Sequence, residues 1–220
     1  MAWLKRQLRQ GIGGGGPQAV AVSIGLVVAV YVTSKGYALL NHPPNVLFLR
    51  TPLDQAIPVV KVFVIPYVSL EPLTYLSLLI FLLFRLRVFQ SAALAMIVAF
   101  LVSYAFFFFA QSYVDRPHVG GEDVLARMLR DVYSADMPYN DFPSLHTSIS
   151  TIIAIHWMRV DRRIGLVASV WAALIVMSTV LVHQHYLADV VGGLVIAFGV
   201  SRVTLGLVVD RRQAAPDLRP

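Results

Sequence analysis

The chain has 220 residues, of which 57% are hydrophobic and 14% charged, and its mean hydropathy is +0.70. A soluble domain carries roughly 25% charged and about 45–50% apolar residues, so this composition argues against a water-soluble enzyme or a disordered chain and for a polytopic membrane protein. The net charge of +6 and the pI near 9.8 fit either a nucleic-acid partner or cytoplasmic loops on an anionic leaflet. The absence of cysteine removes disulfides, thiolate catalysis and Cys-based metal sites.

In chain order, residues 1–17 form a basic leader with Trp3, Lys5, Arg6 and Arg9, closed by the run Gly13 to Gly16. It suits the membrane interface or a free tail. Leader and apolar run resemble a signal peptide, but the run is too long and no small-x-small cleavage site follows. Helical spans of about 20 mostly apolar residues are expected at 18–40, 62–84, 88–110, 144–159, 164–184 and 186–209. The fold expected is therefore all-α, a six-span transmembrane bundle over residues 18–210, with 211–220 as a cytoplasmic tail. Segment 43–61, opened by Pro43 and Pro44, reads as an external connection with a short surface helix. The second span is interrupted by Pro66 and Glu71–Pro72, and proline bends a helix by removing a backbone donor. Glu71 falls near mid-membrane, where an ionisable group is a functional candidate by default. A structural carboxyl paired to Ser69 or a neighbouring span is the favoured reading.

Loop charge sets the orientation. With the N-terminus inside, Lys5, Arg6, Arg9, Arg85, Arg87, Arg159, Arg162, Arg163, Arg202, Arg211, Arg212 and Arg219 are cytoplasmic, 12 of 18 basic residues. The positive-inside rule then puts both termini in the cytoplasm, in a plasma membrane of prokaryotic type on residue usage. Basic charge spread over several cytoplasmic edges is topology, so no nucleic-acid partner is expected.

Three polar clusters fall on the external side: Asp115–Arg116–Pro117, the run from Asp136 to Ser148, and the run from Ser178 to Asp189. Spans 4 and 6 both start there, so two helix N-termini with unpaired N–H groups converge. Pro143 and Ser144 suit a helix start. Two such termini with Arg116 make an anion receptor, and phosphate fits best. His146 and His185 stand beside it. On a helix, Asp189 would lie one turn after His185, where its carboxylate fixes the imidazole tautomer and primes a nucleophile. The second histidine is then free to protonate a leaving alkoxide.

The pattern resembles the type-2 phosphatidic acid phosphatase superfamily, six-span lipid phosphatases and phosphotransferases with the motifs K-x6-R-P, P-S-G-H and S-R-x5-H-x3-D. The corresponding residues are Arg116-Pro117, Pro143-Ser144-Leu145-His146, and Ser178-Thr179 followed by His185 and Asp189. The Leu145 substitution, the D-x-P-x-N run (Asp136, Pro138, Asn140) and the Gln-His-Tyr-x-x-Asp run are similar to the branch of inositol phosphorylceramide synthases. The resemblance implies that His185 attacks phosphorus to form a phosphohistidine and that Asp189 orients it. It further implies that His146 protonates the leaving lipid alcohol, and that Arg116, Ser144 and Leu145 cradle the phosphoryl oxygens. It implies no metal and no cofactor.

Two positions depart from the motifs: Phe109 stands where the first-motif lysine would be, and Thr179 where the third-motif arginine would be. His183, Arg127 and Arg130 are the candidate replacements for the lost charge. Without one, a less charged group such as a phosphodiester would suit the site. The leading expectation is a lipid phosphatase acting on a phosphatidyl or polyprenyl phosphate at the outer leaflet, and the nearest rival a lipid phosphotransferase using the same intermediate. A zinc site from His183, His185, Asp189 and His146, and a non-catalytic lipid-binding protein, are the remaining alternatives.

Overall fold

A computed structural model describes residues 11, 16–41 and 47–210. The leader with Trp3, Lys5, Arg6 and Arg9, most of the glycine run, Pro43, Pro44 and the tail 211–220 lie outside the described residues. The described chain is all-helical. The elements are α1 (Pro17–Leu40), α2 (Pro52–Ala56), a 3-10 turn (Lys61–Phe63), α3 (Val64–Val68), α4 (Leu70–Phe84), α5 (Leu86–Phe109), α6 (Val124–Ala135), α7 (Leu145–Val160), α8 (Arg162–Leu181) and α9 (Leu187–Thr204), and a π-helical end (Leu205–Asp210).

Among the described residues five segments are long and apolar enough to cross a membrane: Pro17–Leu40, Lys61–Phe84, Leu86–Phe109, Arg162–Leu181 and Leu187–Asp210. The sixth expected span corresponds to α7, which has 16 residues. At 1.5 Å per residue it is about 24 Å long, shorter than the roughly 30 Å of a hydrocarbon core. Its position explains why it tolerates Ser, Thr and His: α7 is the hub of the bundle, packed against α4, α5, α8 and α9. Eleven of its residues are buried, so it meets protein rather than lipid on most sides.

The second expected span is broken at Ser69, between α3 and α4. Pro72 cannot donate to the Val68 carbonyl, and the Ser69 hydroxyl turns back to donate to Pro66 O at 2.7 Å while accepting from Trp171 Nε1 at 3.0 Å. The proline signal is thus real, and a serine and a tryptophan absorb the break. Glu71 is not paired to Ser69. It is exposed at the start of α4 and lines a cavity.

Segment 111–142 holds a helix that the hydropathy pattern does not show. Asp123 caps α6 by accepting from Ala126 N at 2.9 Å, and Ala126 and Leu129 are buried on a small cluster with Val64, Tyr67, Val119 and Val182. Residues 124–135 are apolar at helical spacing on one face only, so they sit across the bundle end as an amphipathic cap.

The N-termini of α7 and α9 meet, as expected. Ser144 N donates to Asp189 O at 3.0 Å, and Ser148 Oγ to Gly193 O at 3.1 Å. Gly193 permits this approach, since a Cβ there would come within 2.6 Å of Ser144 O. A larger residue would push α9 off α7 at the point where both helices start.

Candidate active site

His185 is held by the turn between α8 and α9. Val182 ends α8, His183 adopts a left-handed φ of 50°, and the Thr179 carbonyl accepts from both Gln184 N (2.9 Å) and His185 N (3.1 Å). Thr179, at the expected arginine position, is fully buried and supplies backbone support instead of charge. The helix expected to carry both His185 and Asp189 begins only at Leu187. His185 precedes it because its own N–H is engaged by Thr179.

Asp189 still reaches the ring. Its Oδ2 lies 3.6 Å from His185 Nδ1, longer than a hydrogen bond, and accepts from Tyr186 N at 2.7 Å. The carboxylate therefore caps α9 and faces the imidazole at once. Asp189 is fully buried and His185 nearly so. Asp189 Oδ1 and His185 Nδ1 have no hydrogen-bond partner among the described residues. With Nδ1 turned to the carboxylate, Nε2 is the nitrogen left for chemistry.

His146, in the first turn of α7, stacks on Tyr67 with ring centroids 4.2 Å apart. The centroids of His146 and His185 are 6.0 Å apart. Ser144 caps α7 by accepting from Thr147 N at 3.3 Å, and Leu145 stands beside His146 on the cavity wall.

Arg116 is anchored to protein. Its Nη1 donates to Asp136 O (2.6 Å) and Tyr133 O (3.2 Å), its Nη2 to Gln184 Oε1 at 2.6 Å, and its Nε is unpartnered. It fixes the loop after α6 against the residue beside His185. Two of the proposed replacements for lost charge are engaged by backbone carbonyls. His183 Nε2 is bonded to Ile57 O at 3.1 Å, and Arg130 holds Val119 O and Gly121 O. Phe109 is exposed at the end of α5. Among the described residues no three His, Asp or Glu side chains are grouped as metal ligands.

A cavity of about 960 Å³ opens in front of the pair. His146, His185, Gln184, Asp136 and Asp141 line one part, and α1, α4 and α5 line the remainder with residues such as Val30, Leu78, Leu82 and Phe100. The D-x-P-x-N run builds the wall between the two parts. Asp136 accepts from Asn41 Nδ2 (2.7 Å) and Tyr37 Oη (3.1 Å), and Asn140 Nδ2 donates to Tyr37 O at 3.1 Å. Burial raises the pKa of Asp136 despite the opposing pull of Arg116. Burial raises that of Asp141 much further, helped by the neighbouring Asp189 carboxylate, and Asp141 Oδ2 has no hydrogen-bond partner among the described residues.

Two residues to which the sequence reading gives no role hold the site together. Gln184 bridges Arg116 to the cavity. Asp54 in α2 accepts from Leu187 N at 2.8 Å through Oδ1 and from Thr51 N at 2.7 Å through Oδ2, so it caps the helix after His185 from 133 residues away. Burial opposes its ionisation, but the bonds from Thr51 and Leu187 outweigh it and hold its pKa below the usual carboxylate value. No local pattern marks such a distant cap.

Comparison with known proteins gives one positive result. Residues 123–213 match the family model described as PAP2 superfamily, whose members are in general phosphatases acting on phosphate esters. No curated protein and no solved structure matches the chain. The segment that contributes His146, His185, Gln184 and Asp189 is therefore the part of the chain that resembles the PAP2 superfamily.

Proposed function

We propose that this chain is an integral membrane lipid phosphatase that cleaves a phosphatidyl or polyprenyl phosphate through a phosphohistidine on His185. The observation that carries the reading is the shape of the cavity: a histidine pair at one end, and a cleft walled by apolar residues of α1 and α4 behind it. A phosphate at the histidines leaves the cleft for an acyl or prenyl chain, and such a chain gains about 0.8 kcal/mol per buried methylene. In this reading α7 is a sixth, short span, both termini are cytoplasmic and the histidines face the exterior.

His185 Nε2 attacks phosphorus, and the bond from phosphorus to the lipid oxygen breaks. His146 delivers a proton to that oxygen, the anionic phosphate beside it favouring the protonated ring. Water then attacks the phosphohistidine, the P–N bond breaks, and the water's proton returns to His146. Asp189 holds the Nδ1 side of His185 throughout. No metal or cofactor takes part in these steps.

The same intermediate serves a phosphotransferase with a second alcohol in place of water. One observation favours that reading: among the described residues no Lys or Arg lines the cavity, which suits the smaller charge of a phosphodiester donor. Detergent-purified protein incubated with phosphate-labelled phosphatidic acid or polyprenyl phosphate, with and without a second alcohol, separates them. Free labelled phosphate supports the phosphatase, a labelled new ester the transferase. Neither product, or undiminished product from His185→Ala, rejects both.

A further inference from the structure

Tyr67 takes no part in the steps above, yet its ring rests on one of the groups that does. It lies nearly parallel to the imidazole of His146, with centroids 4.2 Å apart and 18° between the planes. Tyr67 belongs to α3, the short piece cut off by the break at Ser69. Val64 and Tyr67 bury that piece against Val119, Ala126, Leu129 and Val182. The ring is thus held between the amphipathic cap and His146, and Tyr67 is only 6% exposed.

Its hydroxyl has no hydrogen-bond partner among the described residues, and it is not one of the unpaired polar atoms sealed from solvent. Tyr67 lines the cavity, so the small opening left to this buried side chain is onto that cavity. The charged groups close enough to act on its oxygen are Asp136, Arg116 and Asp141, and both carboxyls line the part that holds the histidines. The hydroxyl therefore faces the reacting groups rather than the apolar cleft. A buried tyrosine hydroxyl has a partner as a rule, and here the ligand supplies it. A phenol donates without adding charge near neutral pH, and among the described residues no Lys or Arg lines this cavity.

We propose that Tyr67 is a further catalytic residue, its hydroxyl donating to a non-bridging oxygen of the phosphoryl group as that group passes to His185. The inference rests on the phosphohistidine reading and adds a donor to it. As His185 Nε2 bonds to phosphorus and the bond to the lipid oxygen breaks, negative charge gathers on the non-bridging oxygens. The phenol stabilises that charge through a hydrogen bond and keeps its proton. The proton on the departing alcohol still comes from His146. Such a donor acts on the transition state more than on bound substrate, so its loss lowers kcat and leaves KM nearly unchanged.

The test uses the full chain in detergent, with dodecyl phosphate labelled on phosphorus as substrate and orthovanadate as a mimic of the transferring group. Tyr67→Phe removes the hydroxyl and keeps a ring on His146. It should lower kcat about a hundredfold, the usual effect of losing one oxyanion donor, with KM within about threefold of wild type. The midpoint of thermal unfolding should not change. Affinity for orthovanadate should fall in parallel, because a transition-state mimic feels the same donor.

Wild-type kcat in Tyr67→Phe overturns the inference, whether KM rises or the unfolding midpoint drops, since a hydroxyl that only holds a water or a lipid tail would give that result. If wild type does not turn over dodecyl phosphate, orthovanadate decides. Equal affinity of the two proteins, or no binding by wild type, then overturns the inference. A loss of about a hundredfold in Tyr67→Phe, while wild type turns over with no label on His185, rejects the phosphohistidine reading alone and leaves the donor in place.

Discussion

Helix α7 carries two histidines ten residues apart, and their surroundings differ in kind. His156 is fully buried, with Nδ1 bonded to Ile152 O at 2.8 Å and Nε2 to Ser91 Oγ at 2.9 Å. Ser91 Oγ also lies within hydrogen-bond distance of Thr204 Oγ1, at 3.2 Å, so the ring ties α7 to α5 and α9. It does not line the cavity in front of His146 and His185. His146 stacks on Tyr67, lies 6.0 Å from His185 and lines the cavity. A histidine with both nitrogens satisfied in a dry core is a strut, whereas one beside a second histidine and an open volume is placed for proton transfer.

The sharpest way to break this contrast is to remove each ring. His185→Ala should reduce turnover by about a thousandfold or more, as loss of a nucleophile does, with unchanged elution in detergent. His146→Ala should follow closely. Next comes Asp189→Asn, expected to lower kcat by about 10²–10⁴-fold, by analogy with carboxylates that fix a catalytic tautomer. Its capping of Tyr186 survives in part, so the fold should hold.

His156→Ala should behave in the opposite way. Loss of two buried hydrogen bonds and a ring's volume costs about 2–4 kcal/mol, read as a lower midpoint of thermal unfolding in detergent. Turnover of the folded fraction should stay within about threefold of wild type. A large loss of turnover without a loss of stability would erase the distinction between the two histidines.

Two smaller effects concern the carboxyls. Burial and the Asp189 charge raise the pKa of Asp141 in the native state, so the native state binds that proton more tightly than the unfolded chain. Stability should then decline as pH rises from about 4 toward the raised value, and Asp141→Asn should flatten that decline. Asp54→Ala removes a cap shared by α2 and α9, worth about 1 kcal/mol. It should also loosen His185, so a modest rise in KM should accompany the stability loss.

The helices were legible because apolar runs in a membrane protein are long and bounded by charge. Residues 88–110 against Leu86–Phe109, and 164–184 against Arg162–Leu181, differ only where ends fray. Helix α6 was hidden because its hydrophobicity is one-sided and its length short. The site was legible in its residue types but less so in its contacts. His185, Asp189 and His146 do gather, yet the i to i+4 spacing suggested a shared helix that starts only after His185. Arg116 reads as a phosphate ligand from the sequence, and the structure adds contacts to Tyr133, Asp136, Met137 and Gln184 that no motif announces, since a guanidinium's partners depend on which carbonyls the loops bring near. His183 and Asp54 changed places in importance for the same reason. The first faces Ile57 and the second caps Leu187, and both contacts cross more than 120 residues.

The central claim is that His185 becomes covalently phosphorylated. Protein incubated briefly with a lipid phosphate labelled on phosphorus, then denatured in base, should carry acid-labile, base-stable label on the peptide containing His185. His146→Ala should retain some of that label, because the second histidine acts on the leaving alcohol rather than on phosphorus. Label that persists in His185→Ala, or turnover by wild type with no label trapped on His185, would contradict the account.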